Sequence, residues 1–122
     1  MELWEFEKEV KAVLNKLPAK YRGILDAEKI NILSRENVPE GVLRKHPGKT
    51  VFGLFAGVSR KDKRTFSIQT EPTRIEIYKE SFEKIYGEQI SAPMKEHIFK
   101  TVVHEIAHYF GFDEEEVRSR GY

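Results

Sequence analysis

The first part of the chain repeats apolar residues at intervals of three and four. Such spacing places side chains on one face of an α-helix, and a proline that follows ends it. Residues 3–17 are therefore expected to form an amphipathic helix that packs its apolar face on a core. The residues of this face are Leu3, Phe6, Val10, Val13, Leu14 and Leu17, followed by Pro18.

The middle of the chain alternates short apolar runs with turn residues, which favours strands. After an expected break near Gly23, INIL (30–33) is a strand or a short buried element, and a long loop follows. The loop is indicated by Pro39, Gly41, Pro47 and Gly48. Three further strands are predicted at VFGLFAGV (51–58), TFSIQT (65–70) and RIEIYKE (74–80), the first two forming a hairpin around SRKDKRT. SFEKIYG (81–87) indicates a short helix closed by Gly87.

A long helix is predicted from Ser91 to Gly111. Ser91 is a typical N-cap with Pro93 just inside, and glycine is typical just after a helix end. At 100° per residue, His97, Thr101, His104 and His108 share one polar face. An apolar arc faces the other way and is wide enough to be packed by a core. It consists of Ile98, Phe99, Val102, Val103, Ile106, Tyr109 and Phe110. The polar face is therefore expected to look into a cleft.

These elements predict an α+β fold with an N-terminal helix, a small, mostly antiparallel sheet and a long helix. At 122 residues, the chain is expected to be a single domain over residues 1–122 that buries a real core. We find no repeat or low-complexity tract.

The amino-acid composition limits the kinds of catalytic site, metal site and partner that the chain can have. Cysteine is absent, which excludes thiol nucleophiles, disulfides and Cys-based zinc sites. The beginning, MELWEFEKEV, does not resemble a signal peptide, and no segment is apolar enough to span a membrane, so a cytoplasmic protein without membrane partners is expected. Residues 44–64 hold seven Lys or Arg and one Asp. The net charge of +1 and the lack of a nucleic-acid motif nevertheless argue against nucleic acid as a partner.

The segment TVVHEIAHYFGFDEEE (101–116) contains the pattern HExxH. Two imidazoles at positions i and i+4 of a helix can reach one ion together, and His104 and His108 are therefore candidate ligands of Zn²⁺. Glu105 lies at the edge of the same face, close enough to take a proton from a zinc-activated water as general base. This arrangement predicts hydrolysis of peptide or amide bonds.

A catalytic zinc usually has three protein ligands and one open position. Gly111 lets the chain turn back after the helix, and Glu114 follows three residues later, at the third-ligand position of the metzincin pattern HExxHxxGxxH. Glu114 is the preferred third ligand. Asp113, Glu115 and Glu116 remain alternatives, and His97, two turns earlier, is expected to be a wall residue of the cleft.

The runs PTRIEIYKESF and KTVVHEIAHYFGFDEEEV resemble a family of small bacterial zincin-like metallopeptidases. The resemblance covers about residues 51–122 and implies a zincin-like fold and peptidase activity. The family usually has Asp at the third-ligand position and often His after the second histidine, where this chain has Glu114 and Tyr109. Both methionines, Met1 and Met94, precede the motif, so the metzincin Met-turn is missing.

The expected function is therefore that of a zinc metallopeptidase acting on extended peptides. An extended substrate can add to a sheet edge, and RIEIYKE (74–80) is the candidate edge because its charges protect against aggregation. Candidate donors to the developing oxyanion are Tyr78, Tyr122 and His97, whereas Tyr109 is expected in the core. The alternative is a non-catalytic metal- or peptide-binding module of the same fold.

Overall fold

The computed structural model of the chain describes residues 1–57 and 73–119, without the side chains of Glu114, Val117 and Arg118. The predicted strand at 65–70, its hairpin turn and Tyr122 lie outside these residues. The elements, in chain order, are α1 (Leu3–Lys16), α2 (Ala19–Ala27), β1 (Asn31–Arg35), α3 (Glu40–Lys45), β2 (Gly53–Ala56), β3 (Arg74–Tyr78), α4 (Lys79–Tyr86), α5 (Ala92–Tyr109) and α6 (Glu114–Ser119).

The architecture is α+β, as predicted, with helices packed around a small mixed sheet. The order of the described strands is β1-β3-β2. β3 pairs in parallel with β1 and antiparallel with β2. One of the two described pairings is therefore antiparallel, where a mostly antiparallel sheet was expected.

The position of β3 corrects the prediction that RIEIYKE is a sheet edge. β3 lies between its two neighbours, and its residues from Ile75 to Tyr78 are buried. The charges of this segment have partners inside the fold. Strand order depends on contacts between distant parts of the chain, which an alternating pattern does not encode.

Two expectations about the loops are also wrong. α2 continues through Gly23, because one helical glycine costs only about 1 kcal/mol relative to alanine. Burial of Leu25 and a ring contact between Tyr21 and Phe110, with centroids 5.5 Å apart, hold this helix in place. In the expected long loop, Pro39 is the N-cap of α3.

The core lies between α1, the sheet and α5. Among the described residues, the cluster includes three residues of α1 and its C-cap Leu17 at the predicted spacing, together with residues of α2, β3, α4 and α5. The buried residues are Phe6, Val10, Val13 and Leu17 from the first segment, Leu25 from α2, Ile75 and Ile77 from β3, Phe82 from α4, and Met94, Ile98, Val102, Ile106 and Tyr109 from α5. Both amphipathic helices thus pack as their patterns predict.

A buried carboxylate in β3 connects this strand to β1. Glu76 is 2% exposed, and its carboxylate accepts bonds from Arg35 Nε at 3.0 Å, Arg74 Nε at 2.9 Å and the Tyr78 hydroxyl at 2.9 Å. Burial acts to raise the pKa of the Glu76 carboxyl, but the hydrogen bonds from Arg74, Tyr78 and Arg35 together lower it below its usual value. The carboxylate is therefore ionised and fully engaged in the fold.

A glycine allows β2 to approach α5 closely. A Cβ at Gly53 would lie 3.0 Å from Thr101 Cγ2 and 3.1 Å from the Glu76 carbonyl oxygen. These distances leave little room for a side chain. Gly53 therefore fixes the separation between the strand and the helix that carries the histidines.

We expect Gly53→Ala to lower the free energy of unfolding by about 1–3 kcal/mol, because the strand and helix must move apart. The matched control is Gly23→Ala in α2, where an added Cβ meets nothing within 4 Å. This control should raise the free energy of unfolding by about 0.5–1 kcal/mol through helix propensity. Urea denaturation measures both, and equal stability of Gly53→Ala and wild type would show that the approach is not tight.

Candidate metal centre and cleft

α5 begins and ends as the sequence predicts. The Ser91 side chain accepts a hydrogen bond from the Met94 amide at 3.3 Å. At the other end, Gly111 has φ 92°, its amide donates to the His108 carbonyl, and the Phe112 amide donates to the Ala107 carbonyl. This pair of bonds is the Schellman motif, in which a left-handed residue reverses the chain direction. The polypeptide therefore turns back immediately after the second histidine.

The polar face of α5 lines a cleft of about 810 Å³. The opposite wall consists of β2 and the segment before it. The residues from α5 and its end are His97, Lys100, Thr101, His104, Glu105, His108, Gly111 and Phe112, and the opposite wall contains His46 and residues 49–55. The four residues predicted to share the polar face thus do line a cleft, whereas Ile98, Val102, Ile106 and Tyr109 are buried on the other side.

His104 and His108 point their ring nitrogens at the same place. Their Nε2 atoms are 3.0 Å apart, and the rings are nearly perpendicular, with an interplanar angle of 77°. Two nitrogens at 2.0–2.1 Å from one tetrahedral zinc are about 3.3 Å apart, so this pair needs little adjustment to share an ion. A Glu105 carboxylate oxygen and one nitrogen of each histidine all lie within 4.8 Å of one another. The donor set therefore fits Zn²⁺.

The four acidic residues that follow Gly111, at positions 113–116, have different structural roles. The Asp113 carboxylate accepts a bond from the Glu116 amide at 2.8 Å, and Glu116 Oε1 accepts one from the Asp113 amide at 3.5 Å. This reciprocal pair is a capping box at the start of α6. Glu115 is exposed. Glu114 is the first residue of α6, and its side chain lies outside the described structure. Its role as third ligand stays a prediction.

His97 is a wall residue of the cleft, as expected, and is surrounded by aromatic rings. Its Nδ1 is 2.8 Å from the Tyr86 hydroxyl, and its ring centroid is 4.3 Å from that of Phe52 and 5.1 Å from that of Phe82. Burial, and then the positive charge of Lys100, lower the pKa of the His97 imidazole. The ring is therefore held in place in its neutral form.

The candidate donor Tyr78 and the expected core residue Tyr109 both use their hydroxyls inside the fold. The Tyr78 hydroxyl donates to Glu76, and Tyr78 does not line the cleft. Tyr109 is buried, as expected, and its hydroxyl donates to Glu28 Oε1 at 2.9 Å. His97 is the candidate donor that the described cleft contains.

The wall opposite α5 was missed by sequence reasoning. His46, Lys49 and Phe52 line the cleft although no motif marks them. The available signal was the dipeptide Pro47-Gly48. The Lys49 amide donates to the His46 carbonyl at 3.2 Å and Gly48 has φ 74°, which together form a tight turn with proline and glycine at their preferred positions. That turn places His46 and Lys49 side by side.

The combination of a small mixed sheet and a long helix carrying HExxH beside a cleft defines a zincin-like protein. A family model described as Zincin-like metallopeptidase matches residues 27–122. The chain belongs to this family. Membership indicates a metallopeptidase type of function and a divalent metal, typically zinc. Among curated proteins, none matches the chain significantly. In the described residues, no helix has the length and apolar character needed to cross a membrane.

Acid should destabilise the metal-free protein partly through His97. Because the folded pKa lies below that of the unfolded chain, the unfolded state binds more protons as the pH falls below about 6.5, and unfolding is favoured there. In the presence of chelator, His97→Gln should lose less thermal stability than wild type between about pH 7.5 and about pH 5.5. His46→Gln, at an exposed position, is the control. If His97→Gln loses as much thermal stability as wild type over this pH range, the lowered pKa of His97 does not contribute to acid destabilisation.

Proposed function

We propose that the protein is a zinc-dependent peptidase that hydrolyses extended peptides. The main support is the convergence of His104 Nε2, His108 Nε2 and the Glu105 carboxylate in a cleft of about 810 Å³. Three ligands are assigned: the two histidines and, following the chain reversal at Gly111, Glu114. The capping role of the Asp113 carboxylate favours Glu114 over Asp113.

Zinc, when bound, supplies a Lewis acid that polarises a water molecule and the carbonyl under attack. The residues of the chain have separate tasks. His104 and His108 hold the ion in their neutral forms, and burial of the opposite face of α5 fixes their directions. Glu105 takes a proton at its carboxylate from the attacking water and passes it to the leaving amine. The neutral, positioned ring of His97 is the candidate donor to the substrate backbone farther along the cleft.

The substrate is proposed to lie beside β2. β2 is an end strand of the described sheet, and Gly53, Leu54 and Phe55 line the cleft opposite the histidines. Backbone hydrogen bonds to a strand hold a peptide extended with little dependence on its sequence. This assignment replaces β3, which lies in the centre of the sheet.

Variants of the ligands test the metal site. His104→Ala should lose stoichiometric zinc, and Glu114→Ala should weaken zinc binding by a factor of about 10–100 or more. Asp113→Ala should retain zinc and lose about 1 kcal/mol of stability through its cap. Zinc content is measured by elemental analysis after purification without chelator, and affinity by competition with a chelating dye. Wild-type affinity should fall below about pH 6, because ligating imidazoles must be neutral.

Zinc retained in His104→Ala would remove the proposed site. Weak binding in Asp113→Ala together with normal binding in Glu114→Ala would move the third ligand to Asp113. His46→Ala is the matched control, because this histidine is exposed and is not in the described cluster of ligand atoms formed by His104, Glu105 and His108.

Glu105→Gln distinguishes an enzyme from a non-catalytic binder. Loss of a general base commonly lowers the rate by a factor of about 10²–10⁴, so the variant should lose peptide hydrolysis. It should keep one zinc per chain and a similar melting temperature. Unstructured peptide pools at neutral pH, analysed by mass spectrometry, measure cleavage. If zinc-loaded wild type cleaves nothing, or Glu105→Gln cleaves equally well, the chain is a metal- or peptide-binding module instead.

A further inference from the structure

The cleft carries an uneven distribution of charge. Glu105 is the one carboxylate among its described lining residues, and it lies at the end with the two histidines. Lys49 and Lys100 line the cleft from opposite walls, toward the end where Phe52 packs on His97 with ring centroids 4.3 Å apart. This end is therefore a positively charged region, and neither of its lysines has a role in the proposed hydrolysis.

Both lysines are placed by ordered backbone. Lys100 lies on α5 in the same face as His97 and His104, and Lys49 ends the turn formed by Pro47 and Gly48. Among the described residues, Lys49 has no carboxylate within salt-bridge distance. Lys100 Nζ has only a long, exposed contact with Glu96, at 3.6 Å. Both ammonium groups are therefore available to a ligand.

The charge of Lys100 acts inside the cleft and not only at its rim. It contributes to the lowered pKa of the His97 imidazole, although burial is the larger cause. A neutral His97 adds no charge of its own to this region, and because Tyr86 engages its Nδ1, the ring nitrogen left for a ligand is Nε2. An anion there would meet two cations and a polar ring.

We propose that this end of the cleft is a subsite for a carboxylate of the peptide substrate, bound between Lys49 and Lys100. The inference rests on the proposed peptidase function and adds a substrate class to it. The carboxylate is an acidic side chain or the C-terminal group of the peptide.

The distance along α5 sets the position of that carboxylate. Lys100 precedes the midpoint between His104 and His108 by six residues, which corresponds to about 9 Å along the helix axis. An extended peptide advances about 3.3 Å per residue, so the carboxylate should lie about three residues from the cleaved bond. Exposed ion pairs are individually weak, and two of them predict a preference of about 3- to 20-fold.

The test uses two pools of randomised dodecapeptides, one with a free C-terminal carboxylate and one amidated. Zinc-loaded full-length wild type should cleave with Asp and Glu enriched about 3- to 20-fold over Asn and Gln, about three residues from the cut. Enrichment in both pools assigns an acidic side chain. If cleavage about three residues from the peptide C-terminus occurs only in the pool with free carboxylates, the bound group is the C-terminal carboxylate. The preference should weaken with added salt.

The double variant Lys49→Glu/Lys100→Glu should lose the acidic preference and favour Lys and Arg at the same position. The control is Lys8→Glu/Lys20→Glu, the same change of charge at two exposed positions on α1 and α2, which should keep the wild-type preference. Equal cleavage beside acids and amides in wild type, or an unchanged preference in the double variant, would overturn the subsite.

A binding measurement separates failure of the subsite from failure of the peptidase function. Zinc-loaded Glu105→Gln is immobilised, with and without the two lysine substitutions, and the bound fraction of each pool is sequenced. Acid-rich peptides retained only when both lysines are present support the subsite even if wild type cleaves nothing. Retention without acidic enrichment overturns it whatever the cleavage result.

Discussion

The site depends on the burial of one side of α5. Ile98, Val102 and Ile106 pack into the core at intervals of four, and this packing fixes the rotation of the helix about its axis. The rotation in turn determines that His104 and His108 face the cleft with their Nε2 atoms 3.0 Å apart. Because both histidines are on one helix, no other element is needed to bring them together. The same amphipathic pattern therefore determines both the core face and the metal-binding face of α5.

Local signals explain why α5 could be predicted from sequence. Ser91 caps the helix through its own side chain, and Gly111 adopts the left-handed conformation that ends it. Both effects act within a few residues. The HExxH geometry is equally local. The existence of the sheet followed from alternation, but the central position of β3 did not, because strand order is set by pairings between distant segments.

The cleft could be predicted from one side only. The periodicity of the sequence predicts the polar face of α5. The opposite wall is formed by a turn and a strand, and no catalytic motif marks their residues. Gly53 illustrates the difficulty, because only the structure shows that Thr101 lies against it. The same holds for Lys49, which joins Lys100 across the cleft although fifty-one positions separate them in sequence. Charge complementarity with a substrate becomes visible only when such distant residues meet.

The N-terminal helix lies outside the region that the family model matches. The family model matches residues 27–122, yet α1 lies before that region and contributes Phe6, Val10 and Val13 to the core against α5. The helix that holds the histidines is therefore supported on one side by a segment that family membership does not define. Substitutions in α1 can shift or loosen the histidine pair without altering any residue of the motif.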